Sequence, residues 1–242
     1  MISSRNVEVL SPAKLTLSLR ITGQREEDGY HLIQSEMVTI DLVDSISIEE
    51  GGRRVIYKGL YPIEPAPDED LVLRALNLLD VDVTVTVHKI IPPKGGLGGG
   101  SGNAAAILRH FGFTDPKSAV QLGADVPFNL CGGRAIVRGI GEIIEQRPFE
   151  ERIFTLLMPT FGCSTAAVYE KWDQLGGPAG QNGNDLEPAA VELHPELSKW
   201  RDKLERHSGE KPKLAGSGST WFVEGDYPGE GFVIARSLPP TD

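Results

Sequence analysis

Cysteine is nearly absent. Cys131 and Cys163 are the only two in 242 residues, and neither has a Cys or His nearby at zinc-ligand spacing. Neither a disulfide framework nor a Cys-based metal site is suggested, and two buried free thiols are expected. Long apolar runs are missing as well. No stretch approaches the roughly 20 residues a membrane helix needs. Met1–Leu10 (MISSRNVEVL) holds no apolar core ahead of a cleavage site, so the chain reads as soluble and cytoplasmic, with no membrane partner. Positive charge is in deficit: 24 Lys and Arg face 34 Asp and Glu, a formal net charge of -10. That balance argues against a nucleic-acid partner and obliges any anionic ligand to find local help. With 40% hydrophobic and 24% charged residues the chain is not disordered or fibrous. Its length suffices for one large or two modest domains with a substantial core.

Glycine is what the sequence has in excess, at 28 residues, and six of these fall between Gly95 and Gly102. Around that run the chain has two textures. Ala13, Leu15, Leu17, Leu19 and Ile21 alternate with Lys14, Thr16, Ser18, Arg20 and Thr22, which predicts a half-buried strand with Lys14 on its open polar face. Gly23–Gly29 is turn chemistry, and Glu36–Glu50 and Arg53–Lys58 read as further strands. Asp70–Leu79 has helical spacing with Asp70 favouring the N-terminus, and Val81–His88 alternates as a strand. Straight after it come two prolines, the glycines, and a helix predicted over Asn103–Phe111. Leu122–Leu130 reads as a turn into a short helix, and Arg134–Glu145 as strand with glycine interruptions. A change of organisation at Arg147-Pro148 places a domain boundary there, giving units 1–148 and 149–242. The second opens at Ile153–Pro159, includes a flexible loop at Gly176–Gly183, and has a helix at Glu196–His207 with Leu197, Trp200 and Leu204 on one face.

Consecutive glycines between a strand and a helix let backbone amides converge on an anion, with the helix dipole in support, so the run points to a phosphate. The Walker pattern is absent, because no Lys-Ser or Lys-Thr follows the glycines. Gly100, Gly102 and Ala105 satisfy the looser dinucleotide pattern G-x-G-x-x-A, with Asp125 about 20 residues on. The loop does not lie in a first βαβ unit, however. Neither a G-x-S-x-G elbow nor a His-Glu-x-x-His motif occurs.

Three segments taken together resemble the GHMP kinase superfamily. They are SPAKLTLSL (Ser11–Leu19) running on to Asp28-Gly29-Tyr30-His31; IPPKGGLGGGSGNAAA (Ile91–Ala106) followed by LGADVPF (Leu122–Phe128); and LAGSGST (Leu214–Thr220). DGYH together with LGADVPF is most similar to the branch that phosphorylates the 2-hydroxyl of 4-diphosphocytidyl-2-C-methyl-D-erythritol in non-mevalonate isoprenoid synthesis. The resemblance implies an α+β, two-domain fold, with an N-terminal domain like domain 2 of ribosomal protein S5 and a ferredoxin-like C-terminal domain. It implies ATP and Mg2+ as cofactors and this cytidine compound as the small-molecule partner, with no protein-borne metal site.

By the same resemblance Asp125 matches the catalytic base and Lys14 the lysine that polarises the attacking hydroxyl. Read on residues alone, Asp125 is equally a turn residue before Val126-Pro127, and Lys14 a solvated strand residue. Gly95, Gly96, Leu97, Gly98, Gly99, Gly100, Ser101, Gly102 and Asn103 match the ATP phosphate loop, with Ser101 placed to touch phosphate or magnesium. Lys89, Pro93, Asp70 and Leu71 match the adenine pocket. Tyr30 and His31 match the cytidine-holding pair, Tyr169 the aromatic that covers the base, and Gly216, Ser217 and Gly218 a second glycine turn on the substrate side. Asn184-Asp185-Leu186-Glu187 matches a structural segment. Thr16, a further substrate contact, replaces the family's usual asparagine; Asp70 also stands for asparagine, Gly102 for serine, and Lys94 for a small residue. The connection Ile107–Gln121 is short, and the chain ends soon after Gly231–Arg236, where a further helix is usual.

Overall fold

The computed structural model describes residues 7–241, so residues 1–6 of the Met1–Leu10 reading lie outside them. In chain order the elements are β1 (Val7–Gln24), β2 (His31–Glu50), β3 (Arg54–Gly59), α1 (Leu71–Leu79), β4 (Val83–Lys89), α2 (Gly99–His110), α3 (Pro116–Ala119), α4 (Val126–Cys131), β5 (Arg134–Gly139), β6 (Ile143–Arg147), β7 (Ile153–Leu157), α5 (Thr165–Gln174), α6 (Glu187–Leu193), α7 (Leu197–Ser208), β8 (Lys213–Leu214), β9 (Trp221–Glu224) and β10 (Val233–Arg236).

Strands β1 to β6 form one sheet organised by β2, which pairs with β1 along its whole length. On its other edge β2 holds β5 through Ile33–Val38 and β4 through Ser45–Glu50. Every pairing in this sheet is antiparallel except β3 with β4. Helices α1, α2 and α4 cover one face, where Leu76, Ala105, Ile107, Leu108 and Val126 pack on Ile46, Val85 and Val87. Strands β7 to β10 make a second, antiparallel sheet in the order β10-β7-β9-β8. Numbered within the unit that order is 4-1-3-2, the ferredoxin-like arrangement. The helix usual between its last two strands is missing, and residues 225–232 form a loop. Helices α5, α6 and α7 pack on this sheet through Val168, Ala190, Leu197 and Leu204, with Trp200 only half-buried.

The strands of the first sheet lie within residues 7–147 and those of the second within 153–236, yet one apolar cluster belongs to both. Leu15, Leu17 and Ile40 of the first sheet pack with Phe154, Leu156 and Phe222 of the second. The chain end returns to the first unit, where Leu238 N donates to Thr39 O at 2.8 Å and Thr241 Oγ1 to the carbonyls of α4 at Leu130 and Cys131. Of the two thiols, Cys163 is buried and pushed up to about 11 by burial, whereas Cys131 is only half-buried. Among the described residues no helix is long and apolar enough to cross a membrane.

The β1 alternation holds, but its polar face is not open. Lys14 and Thr16 are as buried as Leu15 and Leu17, because the glycine segments of both units roof that face. Bulges at Thr16/Ser18 and Pro12/Ala13 break the register on either side of Lys14, a device that re-aims side chains locally. Helix α2 begins at Gly99, four residues before its predicted start at Asn103. Glycine costs about 1 kcal/mol per helical position by propensity, and here tertiary packing overrides that cost.

Candidate active site

Lys14 and Thr16 are two residues apart on β1 and therefore share a face. Lys14 Nζ donates to Thr16 Oγ1 at 2.9 Å and lies 3.2 Å from Asp125 Oδ2. Asp125 occupies the N-cap position of α4 but makes no side-chain cap hydrogen bond. Its carboxylate is thus turned outward, with its side chain 30% exposed while that of Lys14 is 4% exposed. The first turn of α4 is held instead by Asn129, whose Nδ2 donates to Asp125 O at 2.8 Å. Gly216, from the second unit, closes the group: a Cβ there would lie 3.6 Å from both Lys14 Nζ and Thr16 Oγ1.

The glycine run forms the adjoining wall. Gly98 takes a left-handed backbone, φ 67°, as the N-cap of α2, and a Cβ there would come within 2.8 Å of Lys14 Cγ. Gly96, φ 78°, approaches the second unit so closely that a Cβ would fall 2.0 Å from Ala215 O. The start of α2 directs its free amides and positive dipole end along the wall formed by Gly98, Gly99, Gly100 and Ser101. Lys94 stands at the rim with φ 55°, a left-handed conformation that a small residue or glycine would adopt at less cost.

A cleft of about 790 Å³ runs from this centre between the two units. Of the residues singled out in the sequence, Lys14, Thr16, Tyr30, His31, Leu71, Pro93, Gly95, Gly96, Gly98, Gly99, Gly100, Ser101, Asp125, Tyr169, Gly216 and Ser217 line it together. Lys89, Leu97, Gly102, Asn103, Asp70 and Gly218 do not. Lys89 is buried beneath the loop, its ammonium paired with Asp44 and donating to Asn103 Oδ1 at 3.0 Å. Asn103 Nδ2 donates in turn to Ser11 Oγ and Asp44 Oδ2, and Asp44 Oδ1 accepts from the Ile90 and Ile91 amides. Burial pulls the Lys89 pKa down while Asp44 works against it. Asp70 caps α1, accepting from Val72 N, Leu73 N and Tyr57 Oη at 2.8–3.1 Å, so it holds the start of that helix instead of lining the cleft. Leu97 is buried with its carbonyl on Lys14 N, and Gly102 and Gly218 are packed inside their units.

At the far end, Tyr30 is 61% exposed beneath the Arg25 guanidinium. The Arg25–Asp28 ion pair orders the turn before it and holds the Asp28 carboxyl below its usual range. His31 packs against Tyr169, with ring centroids 4.9 Å apart. Burial, with the negative charge of Asp125 adding to it, holds the Tyr169 phenol above its usual range. Thr165 and Ala166, at the start of α5, also line the cleft, and Thr165 Oγ1 lies 3.0 Å from Ser217 Oγ. Sequence reasoning missed both; the only signal was a run of small residues after Cys163. Asn184 Nδ2 donates to Leu214 O and Gly216 O and so holds the second glycine turn, while Asp185 binds Arg20 and the Ile21 amide across the units.

Such a cleft suits a phosphorylated nucleotide beside a hydroxyl-bearing acceptor, with a carboxylate and an ammonium where they meet. Residues 70–133 match the family described as the GHMP kinases N terminal domain. A 4-diphosphocytidyl-2-C-methyl-D-erythritol kinase of Polynucleobacter necessarius subsp. necessarius is 32% identical over 252 residues, covering 92% of this chain and 84% of that protein. One of Polaromonas naphthalenivorans is 35% identical over 265 residues, covering 93% and 89%. A crystal structure of 4-(cytidine 5'-diphospho)-2C-methyl-D-erythritol kinase superposes with a TM-score of 0.73 at 26% identity, over 96% of this chain and 99% of that one. A homoserine kinase from Cytophaga hutchinsonii, 15% identical with a TM-score of 0.61, shares the fold.

Proposed function

The chain belongs to the 4-diphosphocytidyl-2-C-methyl-D-erythritol kinases of the GHMP superfamily, and from that premise we propose how its own residues phosphorylate the 2-hydroxyl of this compound. ATP supplies the phosphoryl group, and magnesium on its phosphates offsets their charge. The wall of the cleft fits such a group, since the start of α2 presents free amides where no side chain intervenes and Lys14 and Lys94 add positive charge. Among the described residues no group of three or more His, Cys, Asp or Glu could hold a metal ion. Ser101 is the hydroxyl placed to meet the magnesium.

Asp125 accepts the proton of the 2-hydroxyl at its carboxylate. Lys14 Nζ, in contact with both Asp125 and Thr16, orients that hydroxyl and neutralises charge as it develops. Thr16 keeps an oxygen acceptor for the ammonium but offers no amide. Tyr30, His31 and Tyr169 hold the cytidine base at the far end, and Gly216 and Ser217 border the path of the diphosphate. Pro93 and Leu71 form the adenine wall, with Asp70 and Lys89 supporting it from behind.

The observation that carries this reading is the Lys14–Asp125 contact at the foot of the glycine loop. The test is ADP release with 4-diphosphocytidyl-2-C-methyl-D-erythritol, ATP and Mg2+, beside mevalonate, homoserine and galactose. Turnover of the cytidine compound alone is expected. Turnover of another acceptor, or of none by folded protein that still binds ATP, would overturn the reading.

A further inference from the structure

A carboxylate outside the lining of the cleft, that of Asp173, stands behind His31. His31 opens β2, and α5 crosses its imidazole with three side chains in one turn. Tyr169 covers the ring face at 4.9 Å and Trp172 meets it edge-on, with centroids 5.5 Å apart at 87°. Asp173 Oδ1 lies 2.9 Å from His31 Nε2. The His31 side chain is 13% exposed, so its ring is gripped on a face and an edge by one helix and has little freedom to turn. An ionised carboxylate only accepts, which puts the hydrogen on Nε2 and leaves Nδ1 as the single ring nitrogen free for a ligand.

We propose that Asp173 is a positioning residue that fixes the tautomer and tilt of His31, and through them the choice of pyrimidine. In the tautomer that carries its hydrogen on Nε2, Nδ1 is an acceptor. It suits the exocyclic amine of a 4-amino pyrimidine and leaves the 4-carbonyl of a uracil facing a lone pair. Asp173 need not touch the base: its side chain is 49% exposed and works through the imidazole. This inference rests on the cytidine reading of the cleft and adds to it the device that selects the base.

The test compares wild type, Asp173→Ala and Asp173→Glu on the cytidine substrate and on its uridine analogue, with kcat and both Michaelis constants measured. Asp173→Ala should raise the KM for the cytidine substrate about tenfold, the scale of one charge-assisted hydrogen bond. It should narrow the cytidine-to-uridine preference by a similar factor and leave kcat and the KM for ATP within about twofold. Asp173→Glu, which keeps the acceptor, should recover most of the preference. An unchanged preference in Asp173→Ala, or a fall in kcat together with a rise in both Michaelis constants, would overturn the inference while wild-type turnover leaves the activity standing. Wild type that ignores the cytidine substrate would overturn the activity itself.

Discussion

Asp125 sits where an aspartate normally spends its carboxylate on the helix behind it, and the side chain makes no such bond. Asn129 steadies the turn in its place, so the carboxylate is free for Lys14. Asp125→Asn is therefore expected to lower kcat by about two to four orders of magnitude, the usual worth of a general base, with a thermal melt close to wild type. ADP release and circular dichroism on the same sample check both halves. Glu187 is a different case. It is buried at the start of α6, and burial raises its carboxyl pKa in spite of two hydrogen bonds from Asn182 Nδ2. A folded pKa above the unfolded one means that stability is lost as pH rises through that interval. Glu187→Gln should thus melt higher than wild type at about pH 7, with the gap closing below about pH 4, where both folded and unfolded wild type are protonated. Residue chemistry of the Lys14 kind was legible because a motif flanks it. Its burial was not, because the roof over β1 comes from Leu97 and Gly216, far along the chain.

Among the elements, α1 is legible together with its cap, since a cap is local: Asp70 reaches amides only two and three residues on. Asp70→Ala should cost about 1–2 kcal/mol in a denaturant titration, and Asp70→Asn markedly less, because the amide oxygen still accepts. The early start of α2 escaped detection for the opposite reason. Six glycines argue against a helix, and what sets its first turn is Gly98 in a left-handed backbone against the Lys14 side chain. Gly98→Ala should be strained by backbone and by contact, displacing the lysine, and should lower kcat more than it raises the KM for ATP. The resemblance puts Lys89 in the adenine pocket. Its actual partner, Asp44, lies 45 residues away on β2, a pairing no local pattern contains. Removing one member of such a buried pair leaves the other charge without compensation, so Lys89→Met is expected to destabilise by about 3–5 kcal/mol, read as a fall in the denaturation midpoint.

For the whole molecule, two sheets are visible in the order of elements, but the short β8 and β9 give too little pattern to reveal how the second is woven. The division at residue 148 separates sheets without separating cores, since Leu15 and Ile40 pack with Phe154 and Phe222. Leu19 exchanges hydrogen bonds with residues 183 and 185, and Leu238 closes on Thr39. Residues 7–148 and 149–241 expressed apart should each expose half of that cluster and fail to fold, and the intact chain should melt in a single calorimetric transition. Two resolved transitions would show the halves to be energetically separate.

The same shared cluster limits how the chain can be recombined. A hybrid that joined residues 7–148 to the second half of a relative about a third identical would inherit Leu15 and Ile40 opposite side chains shaped for other neighbours. Interiors this dense tolerate little mismatch in volume. Divergence across the 148 junction must then proceed in matched steps, and a swap made there should yield viable hybrids only when Leu15, Leu17, Ile40, Phe154, Leu156 and Phe222 travel together.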